Sequence, residues 1–407
     1  LALVPLIGQE LFPQVDAGPI TLRVRAPSGL RIEKTEELVA EVEKAIREVI
    51  PPAEIKKLIS NIGVLLDWPA AYTPNSGAMD AFINVQLADE RARSSQEYAE
   101  ALRPALNRRF PGVEFAVDTG GMITAALNFG LPSPINIQVE GRRLEVSYPI
   151  AEEVRRRVAA IPGAVDVRIQ QRQDFPQIKI NVDRIKAAYL GLTNEEVVKN
   201  IVTALNSSVN FAPSFWFDHR NGNHYFLGAQ YSEEAIRDLE TLKNIPLTGI
   251  NNGSPVLLRN IATFERAVAP AEVNHVNITR VIDVYANVTG RDIGSVAADV
   301  ERAIADIDVP PGYAVRTRGE VASMRESFAD MGFGLLLAIS LLYLVMVVQF
   351  RSFRDPLIIM AAAPLGLIGV LWMLTGTGTT LNIQSFMGII MVVGIAVSYS
   401  VLLVDLA

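Results

Sequence analysis

The hydrophobic and polar residues divide the chain into two contrasting regions. Residues 9–330 mix charged and apolar positions with amphipathic periods, whereas residues 331–407 contain only four charged side chains. Three apolar spans stand out in this second region, at residues 331–350, 357–374 and 383–407. Each approaches the ~20 residues that a helix needs to cross a bilayer. We therefore predict three transmembrane helices, the second of them kinked at Pro364.

The charges between the spans predict their orientation. Arg351 and Arg354 lie in the loop after the first span and mark it as cytoplasmic. The next loop, TGTGTTLN, carries no charge and belongs to the other side. The first span then enters the membrane from outside, and residues 9–330 form a large extracytoplasmic insertion.

The insertion begins with a complete α+β unit. Alternating segments predict strands and amphipathic segments predict helices, in the order strand, helix, strand, strand, helix, strand. The segments are ITLRVRAP, EKTEELVAEVEKAIREVI, IKKLISNIGV, AFINVQLA, SSQEYAEALRPALNRRF and VEFAVDT.

A second unit of the same kind is interrupted. Its first half is INIQVEG, VSYPIAEEVRRRVAAI and AVDVRIQQ, and its second half is RVIDVYANV, DIGSVAADVERAIADI and YAVRTRG. Residues 174–265 form an inserted subdomain with the strand QIKINVD, the helix TNEEVVKNIVTAL and a hairpin that turns at Asn221-Gly222.

Composition excludes several classes of function. The net charge of −7 argues against a nucleic-acid partner. The absence of cysteine excludes disulfides and thiol chemistry, and three scattered histidines do not suggest a histidine-based metal site. Neither a phosphate-binding loop nor a hydrolase motif occurs, so we do not expect an enzyme.

Three stretches together carry a resemblance to a known family. They are LFPQVDAGPITLRVRAPSG, SFRDPLIIMAAAPLGLIG and GIIMVVGIAVSYSVLLVDLA. The whole chain resembles the second half of a resistance-nodulation-division (RND) permease, truncated at both ends. The resemblance implies α+β porter subdomains of ferredoxin-like β-α-β-β-α-β repeats with an inserted docking subdomain, followed by an α-helical membrane bundle. The expected segments are 1–8 (the end of a membrane helix), 9–130 (first porter subdomain), 131–173 with 266–325 (second porter subdomain), 174–265 (docking subdomain) and 326–407 (three membrane helices).

The resemblance also implies a function and partners. The whole protein would be a proton-driven efflux pump in a bacterial inner membrane, with residues 9–330 in the periplasm and with the proton gradient instead of a cofactor. It would form a homotrimer joined to a periplasmic adaptor protein and an outer-membrane channel. The ending VLLVDLA resembles the multidrug branch, which exports hydrophobic or amphiphilic compounds.

Two other functions stay open at this point. One is heavy-metal-ion efflux, for which Met79, Met122 and Met324 could supply soft ligands, although no M-x-x-M pairing occurs. The other is a periplasmic binding or assembly module without transport of its own.

Polar residues in the third span are the candidates for a proton relay. Ser398 stands where related multidrug pumps often carry a lysine, and Tyr399 and Asp405 follow it. Polar residues within membrane helices are often functional. The alternatives are that Ser398 bonds to its own helix and that Asp405 is a polar anchor.

Three further groups are predicted from their setting. The loop LLDWPAAYTPNSGAMDAF resembles a drug-pocket segment, or else folds onto its own subdomain; its candidate residues are Leu65, Leu66, Trp68, Tyr72 and Met79.

The aromatic hairpin predicts an assembly contact, or else an independent hairpin core, with candidates Trp216, His219, Asn221 and Gly222. Close packing of the membrane helices is expected at Gly366, Gly369, Gly388 and Gly394.

Overall fold

The computed structural model describes residues 7–13, 15–64, 75–120, 131–232, 235–236, 238–251 and 253–406. By their contacts the residues divide into two units. One consists of Leu1–Asp174 with Pro270–Ala407, and the other consists of Phe175–Ala269. Along the chain, the second unit is therefore an insertion in the first.

The first unit opens with a four-stranded sheet covered by two helices. Its elements are β1 (Pro19–Arg25), α1 (Ile32–Val49), β2 (Ile55–Ile62), β3 (Asp80–Leu87), α2 (Ser95–Arg109) and β4 (Glu114–Asp118). The strands are antiparallel in the order β2-β3-β1-β4, which is the order of a ferredoxin-like fold. We call this group the first subdomain.

The alternation seen in the sequence explains the core of the first subdomain. Ile20, Leu22 and Val24 lie on one face of β1 and are fully buried. They pack against the apolar faces of the two helices in one cluster. A capping box between Ser94 and Glu97 fixes the start of α2.

The second sheet has the same topology but is split by the insertion. Its first half comprises β5 (Ile135–Glu140), α3 (Leu144–Ala159) and β6 (Ala164–Ile169). The inserted unit follows with β7 (Phe175–Val182), α4 (Arg184–Tyr189), α5 (Asn194–Leu205), β8 (Ser214–Phe217), β9 (His224–Leu227), α6 (Leu239–Lys243), β10 (Pro246–Leu247), β11 (Val256–Leu257) and β12 (Ala262–Ala269). The second half comprises β13 (Asn274–Val276), β14 (Thr279–Val288), α7 (Ile293–Ala305) and β15 (Ala314–Gly319).

The two halves join into one sheet in the order β6-β14-β5-β15, with β13 also paired to β14. This repeats the strand order of the first subdomain, and we call it the second subdomain. Within the inserted unit, β12 pairs with β7 along eight residue pairs. Because of this pairing, the chain returns to the second subdomain at Pro270 and not at residue 266.

The last part of the first unit consists of apolar helices. They are α8 (Glu320–Phe350), α9 (Arg354–Met360), α10 (Ala362–Thr377) and α11 (Ile383–Leu406). Three helical stretches, counting α9 and α10 as one, are long and apolar enough to cross a membrane, so the three predicted spans are confirmed. The second is interrupted at Ala361 because Pro364 offers no N–H and its ring crowds the carbonyl of Met360.

Candidate functional site

Polar contacts join the first and second subdomains. The apolar cluster of each subdomain draws only on its own strands and helices. Between them, the Arg25 guanidinium donates hydrogen bonds to the carbonyls of Ile169 at 2.6 Å and Gln170 at 3.1 Å. On the other side of the interface, the Thr289 hydroxyl donates to the Glu100 carboxylate at 2.6 Å. Such an interface can separate without exposing an apolar core.

Asp166 is the most highly connected residue of this interface. It lies in a bulge of β6, where two residues face one residue of β14, and its φ of 54° is unusual for a residue other than glycine. The bulge directs its carboxylate to the first subdomain, where it accepts bonds from Arg103 Nε and the Val117 N–H, each at 3.0 Å. Asn287 also donates to it at 3.0 Å. Residues in strained conformations persist where their surroundings fix them, often at functional positions.

Arg172 forms a second group of contacts at the rim of the interface. Its guanidinium donates to the Ala26 carbonyl and the Asp80 carboxylate, both at 2.7 Å, and to the Ser28 hydroxyl at 2.9 Å. Ser28 in turn donates to Asp174 at 2.8 Å. Arg172 and Asp174 come from the second subdomain and their partners from the first. These contacts therefore hold the two subdomains together at the rim.

An open cleft of about 350 Å³ adjoins this rim group. Its lining is mainly charged and polar, and includes Arg25, Ser28, Glu114, Tyr148, Glu152, Arg155, Arg172 and Asp174. Burial and the neighbouring Glu152 carboxylate raise the pKa of Tyr148, so its hydroxyl stays a hydrogen-bond donor. The cleft therefore offers charges of both signs to a ligand.

The second subdomain continues directly into the membrane region. β15 ends at Gly319 and α8 begins at Glu320, so α8 starts eleven residues before the predicted span at 331–350. Gly319 has φ 80°, and a Cβ there would lie 3.0 Å from the Pro134 carbonyl oxygen. Val321 is 1% exposed and belongs to the core of the second subdomain. The first turn of α8 is thus part of that subdomain.

A short segment near the beginning of the chain ties the same region together. Gln9 pairs with Leu381, in the loop before α11, and the Glu10 N–H donates to the Leu381 carbonyl at 3.0 Å. The Gln9 N–H also donates to the Asp292 carboxylate at 2.8 Å, at the start of α7. This segment joins the loop before α11 to the second subdomain. Both are then on the side of the membrane opposite the arginine loop, as the charges predict.

Two carboxyl groups are buried beside this segment. Glu10 is 7% exposed and accepts a hydrogen bond from Thr380 at 3.1 Å, while Glu320 is 8% exposed. Burial, together with the negative charge of Glu10, raises the pKa of Glu320 to about 7. Glu320 precedes the apolar span by roughly 16 Å of helix and lies outside the membrane.

The candidates for the proton relay lie on an uncovered face of α11. Tyr399 is 66% exposed, and the Ser398 side chain is exposed without a hydrogen-bond partner among the described residues. Ser400 instead donates to the Ala396 carbonyl of its own helix at 2.8 Å. The side chain of Asp405 lies outside the described residues. Ser398 and Tyr399 are thus free to contact another helix.

The glycines of the membrane helices give a mixed result. A Cβ at Gly366 would lie 3.2 Å from Val392 of α11, which agrees with the predicted close packing. At Gly369, Gly388 and Gly394 a Cβ would meet nothing within 4 Å among the described residues. These three glycines are exposed, so their close packing against other helices of the whole protein stays a prediction.

The predicted pocket loop is largely outside the described residues. Leu65, Leu66, Trp68 and Tyr72 belong to that part of the chain. Met79, at the end of the loop, is 1% exposed. The prediction that it lines an open pocket is wrong, because its side chain is packed inside the protein directly before β3.

The aromatic hairpin forms as predicted, from β8 and β9, and all eight of its strand residues are exposed. Trp216 contacts Tyr225 with ring centroids 5.9 Å apart, yet the two side chains keep 55% and 47% of their surface exposed. His219 lies against the Phe217 ring at 4.8 Å. The hairpin alone therefore does not cover its aromatic side chains.

The turn of the hairpin is longer than predicted. The Asp218 N–H donates to the Asn223 carbonyl at 2.9 Å, which leaves a loop of four residues. Asn221 and Gly222 are its last two, and Gly222 adopts φ 75°. The prediction that the chain turns at Asn221-Gly222 alone is thus wrong. Gly222 nevertheless supplies the left-handed conformation that the loop needs.

Sequence reasoning missed the polar interface between the subdomains. Its residues, Asp80, Arg103, Asp166 and Arg172 among them, look like ordinary surface charges of strands and helices. One signal was present in the strands. β5 and β14 carry Asn136, Gln138 and Asp283 between apolar residues, and all three are buried. Polar residues inside otherwise apolar central strands indicate a covered polar face.

Comparisons with known proteins agree with this architecture. A sequence profile of the AcrB/AcrD/AcrF family matches residues 1–407. The cobalt-zinc-cadmium resistance protein CzcA of Cupriavidus metallidurans is 24% identical over 98% of this chain and 37% of its own length. The multidrug resistance protein MdtC of Escherichia coli is 24% identical over the same two shares. A crystallised heavy metal efflux pump superposes with a TM-score of 0.82 at 26% identity, over 97% of this chain and 40% of that one. The chain thus spans 37% of the length of these curated relatives.

Proposed function

The chain belongs to the AcrB/AcrD/AcrF family, and from that premise we propose that it is the porter and membrane portion of a proton-driven efflux pump. The resemblance to RND permeases noted in the sequence is confirmed by this match and by the crystallised pump. Accordingly, the apolar helices lie in a bacterial inner membrane and the two subdomains lie on its periplasmic side.

The observation that carries the proposal is the direct continuation of β15 into α8. The first turn of α8 is buried in the second subdomain, and Arg325 forms an ion pair with Glu301 of α7 at 2.8 Å. A displacement of α8 in the membrane would therefore move the second subdomain with it. The first subdomain, whose core is separate and which the described polar contacts join to the second, would stay behind and the cleft would open.

The energy would come from protons crossing the bundle, without a bound cofactor. We place Ser398 and Tyr399 in the relay, because their hydroxyls lie on a face of α11 that no described residue covers. A carboxylate on a neighbouring helix of the whole protein would accept their hydrogen bonds. Asp405 is the third candidate, one to two turns further along α11.

For the cargo we propose amphiphilic organic compounds that carry charge. The cleft presents Arg25, Arg155 and Arg172 beside three carboxylates, and a polar lining of both signs suits such molecules. Two of these carboxylates are paired with arginines, Glu114 with Arg25 and Glu152 with Arg155, which disfavours a bare metal cation in this cleft. Purely hydrophobic compounds would have to bind elsewhere, in the region of the predicted pocket loop.

Heavy-metal ions are the second candidate cargo. The observation in their favour is that CzcA and the crystallised pump, both metal transporters by name, resemble the chain over almost its whole length. Among the described residues no group of three His, Cys, Asp or Glu side chains could hold a metal ion. A metal site would then need other ligands, such as methionine thioethers, or residues beyond the described ones.

The assembly we propose is a homotrimer with a periplasmic adaptor and an outer-membrane channel. The exposed aromatic residues of the hairpin support a protein contact, because patches of this kind on a small ribbon mark interaction sites. Trp216 is the side chain we expect to be buried in that contact, with His219, Asn221 and Gly222 shaping the turn.

One experiment separates these functions. The full-length gene would be expressed in a host that lacks its own efflux pumps, and accumulation of charged amphiphilic dyes and of zinc, cobalt and cadmium would be measured. We expect the expressed protein to lower dye accumulation, and we expect a protonophore to abolish this effect. Lower metal accumulation alone would establish the second candidate. Unchanged accumulation of both would favour a non-transporting binding or assembly module.

A further inference from the structure

Three arginine residues line one small cavity inside the interface of the two subdomains. Arg23 and Arg25 come from β1 of the first subdomain, and Arg168 comes from β6 of the second. The cavity measures about 10 Å³, enough for one water-sized particle. Its remaining lining comprises Val24, Asn75, Ser76, Asp80, Ala81 and Gln170.

Two of the three guanidinium groups lack a carboxylate partner. Arg168 is 5% exposed; it donates to the Asp166 carbonyl at 3.1 Å and the Ser133 hydroxyl at 3.3 Å and lies over the Tyr285 ring. Within the described part of the chain, neither Arg168 nor Arg23 has an ion pair. The Arg23 Nε is also buried without a hydrogen-bond partner. Buried charges of this kind are costly unless they are paired.

The carboxylates nearby are engaged elsewhere. Asp80 binds Arg172 at 2.7 Å, and Asp166 binds Arg103 at 3.0 Å. Glu114 lies 3.4 Å from Arg25 but is 64% exposed, so water weakens its effect. Asp118 accepts a backbone hydrogen bond from Gly120, and its charge attracts Arg23 without forming an ion pair with it.

Two other acids complete the surroundings. Burial raises the pKa of Glu272, which disfavours its charged form. Asp283 accepts hydrogen bonds from Asn136, Gln138 and Gln171. These partners are neutral amides, so Asp283 does not neutralise an arginine of the cavity directly.

Arg23 and Arg25 repel Arg168. Burial lowers the pKa of Arg23 and of Arg25. Burial and then the positive charge of Arg23 lower the pKa of Arg168 to about 10. A negative ion between the three groups would remove this repulsion and satisfy the unpaired donors.

We propose that this cavity binds one halide-sized inorganic anion, chloride under physiological conditions. The volume suits a single monatomic ion. Because Arg23 and Arg25 belong to one subdomain and Arg168 to the other, the ion holds the two subdomains together. The proposal concerns the interface itself and does not depend on the cargo or on transport.

The test uses the purified full-length protein in detergent. Its thermal unfolding midpoint is followed while sodium chloride replaces sodium gluconate at constant ionic strength. We expect the unfolding midpoint to rise with the chloride concentration. Above the dissociation constant of the site, each tenfold increase in chloride should raise the midpoint by a constant step. A midpoint that is the same in chloride and in gluconate would overturn the proposal.

Variants assign the effect to the cavity. Arg23→Gln breaks no ion pair among the described residues, so it should fold, and its midpoint should no longer depend on chloride. Arg143→Gln changes an exposed arginine directly before α3; it is the matched control and should respond like the wild type. A full chloride response in Arg23→Gln would contradict the site. In crystals grown in bromide, an anomalous peak between the three guanidinium groups is expected, and its absence would equally reject the proposal.

Discussion

Asp166 of the second subdomain and Arg103 of the first form a buried pair, with the Arg103 Nε 3.0 Å and 3.1 Å from the two carboxylate oxygens. The side chains are 5% and 14% exposed. The bulge that produces this contact gives Asp166 a left-handed backbone conformation, which aspartate and asparagine tolerate better than most residues. The pair therefore fixes the second subdomain against the first at one buried point of their polar interface.

Asp166→Asn tests the charge of this pair without disturbing the backbone. Asparagine accepts the same φ, so the change removes the charge and leaves Arg103 buried without a counterion. We expect a loss of about 3–5 kcal/mol in the free energy of unfolding, measured by denaturant titration of the purified protein. Asp174→Asn, at the rim, should cost about 1 kcal/mol or less. Equal losses in both variants would contradict the role given to Asp166.

Gly319→Ala tests the continuation of β15 into α8. The left-handed conformation and the 3.0 Å approach to the Pro134 carbonyl both oppose a side chain, so we expect a cost of roughly 1–3 kcal/mol. Gly332→Ala within α8 is the control, since a Cβ there meets no described residue within 4 Å and alanine favours a helix. Export should fall in the first variant and persist in the second. If Gly319→Ala exports normally, the junction is not a rigid coupling.

Glu320 predicts a pH dependence of stability. Its pKa in the folded protein is about 7, above its ordinary value of 4.5, so the fold favours the neutral carboxyl. Its contribution to the free energy of unfolding is then fully present below about pH 4.5 and is lost as the pH rises through about 7. Glu320→Gln should remove this dependence, and Glu326→Gln, at an exposed position, should not. Unfolding midpoints measured across that range would show the difference; parallel curves for all three proteins would refute it.

The hydroxyls of α11 can be compared directly. Ser398→Ala removes a hydroxyl that has no partner among the described residues, whereas Ser400→Ala removes one that bonds to its own helix. If Ser398 belongs to the relay, its variant should slow proton-coupled dye export several-fold, and the Ser400 variant should not. Dye efflux from everted vesicles at equal protein levels measures this. Equal rates in both variants would leave Ser398 with a packing role only.

Local sequence patterns predicted the strands and helices of both subdomains because apolar residues alternate in the strands and repeat along the helices. The start of α8 could not be predicted in this way. Residues 320–330 include Glu320, Arg325 and Asp330, so they lack the apolar signal of a membrane helix although they continue one. β10, β11 and β13 have two or three residues each and are too short to show a period.

The interface was out of reach for a different reason. Asp80 and Arg172 are 92 positions apart, and Arg103 and Asp166 are 63 apart. Their pairing depends on how two separately folded sheets meet, which no local pattern records. The bulge at Asp166 is equally hidden, because nothing in AVDVRI distinguishes it from a regular strand.

The most direct test of the account is to lock the rim of the cleft. Ser28 and Asp174 contact each other at 2.8 Å across the two subdomains, and the chain contains no cysteine. In the full-length protein, with any cysteine outside this chain replaced, Ser28→Cys with Asp174→Cys should form a disulfide under oxidation. The disulfide should stop dye export, and its reduction should restore export. The control is Glu43→Cys with Ser60→Cys, whose side chains meet within the first subdomain, and it should export in both states. Continued export by the oxidised Ser28–Asp174 variant, with the disulfide verified, would contradict opening of this cleft as a step of transport.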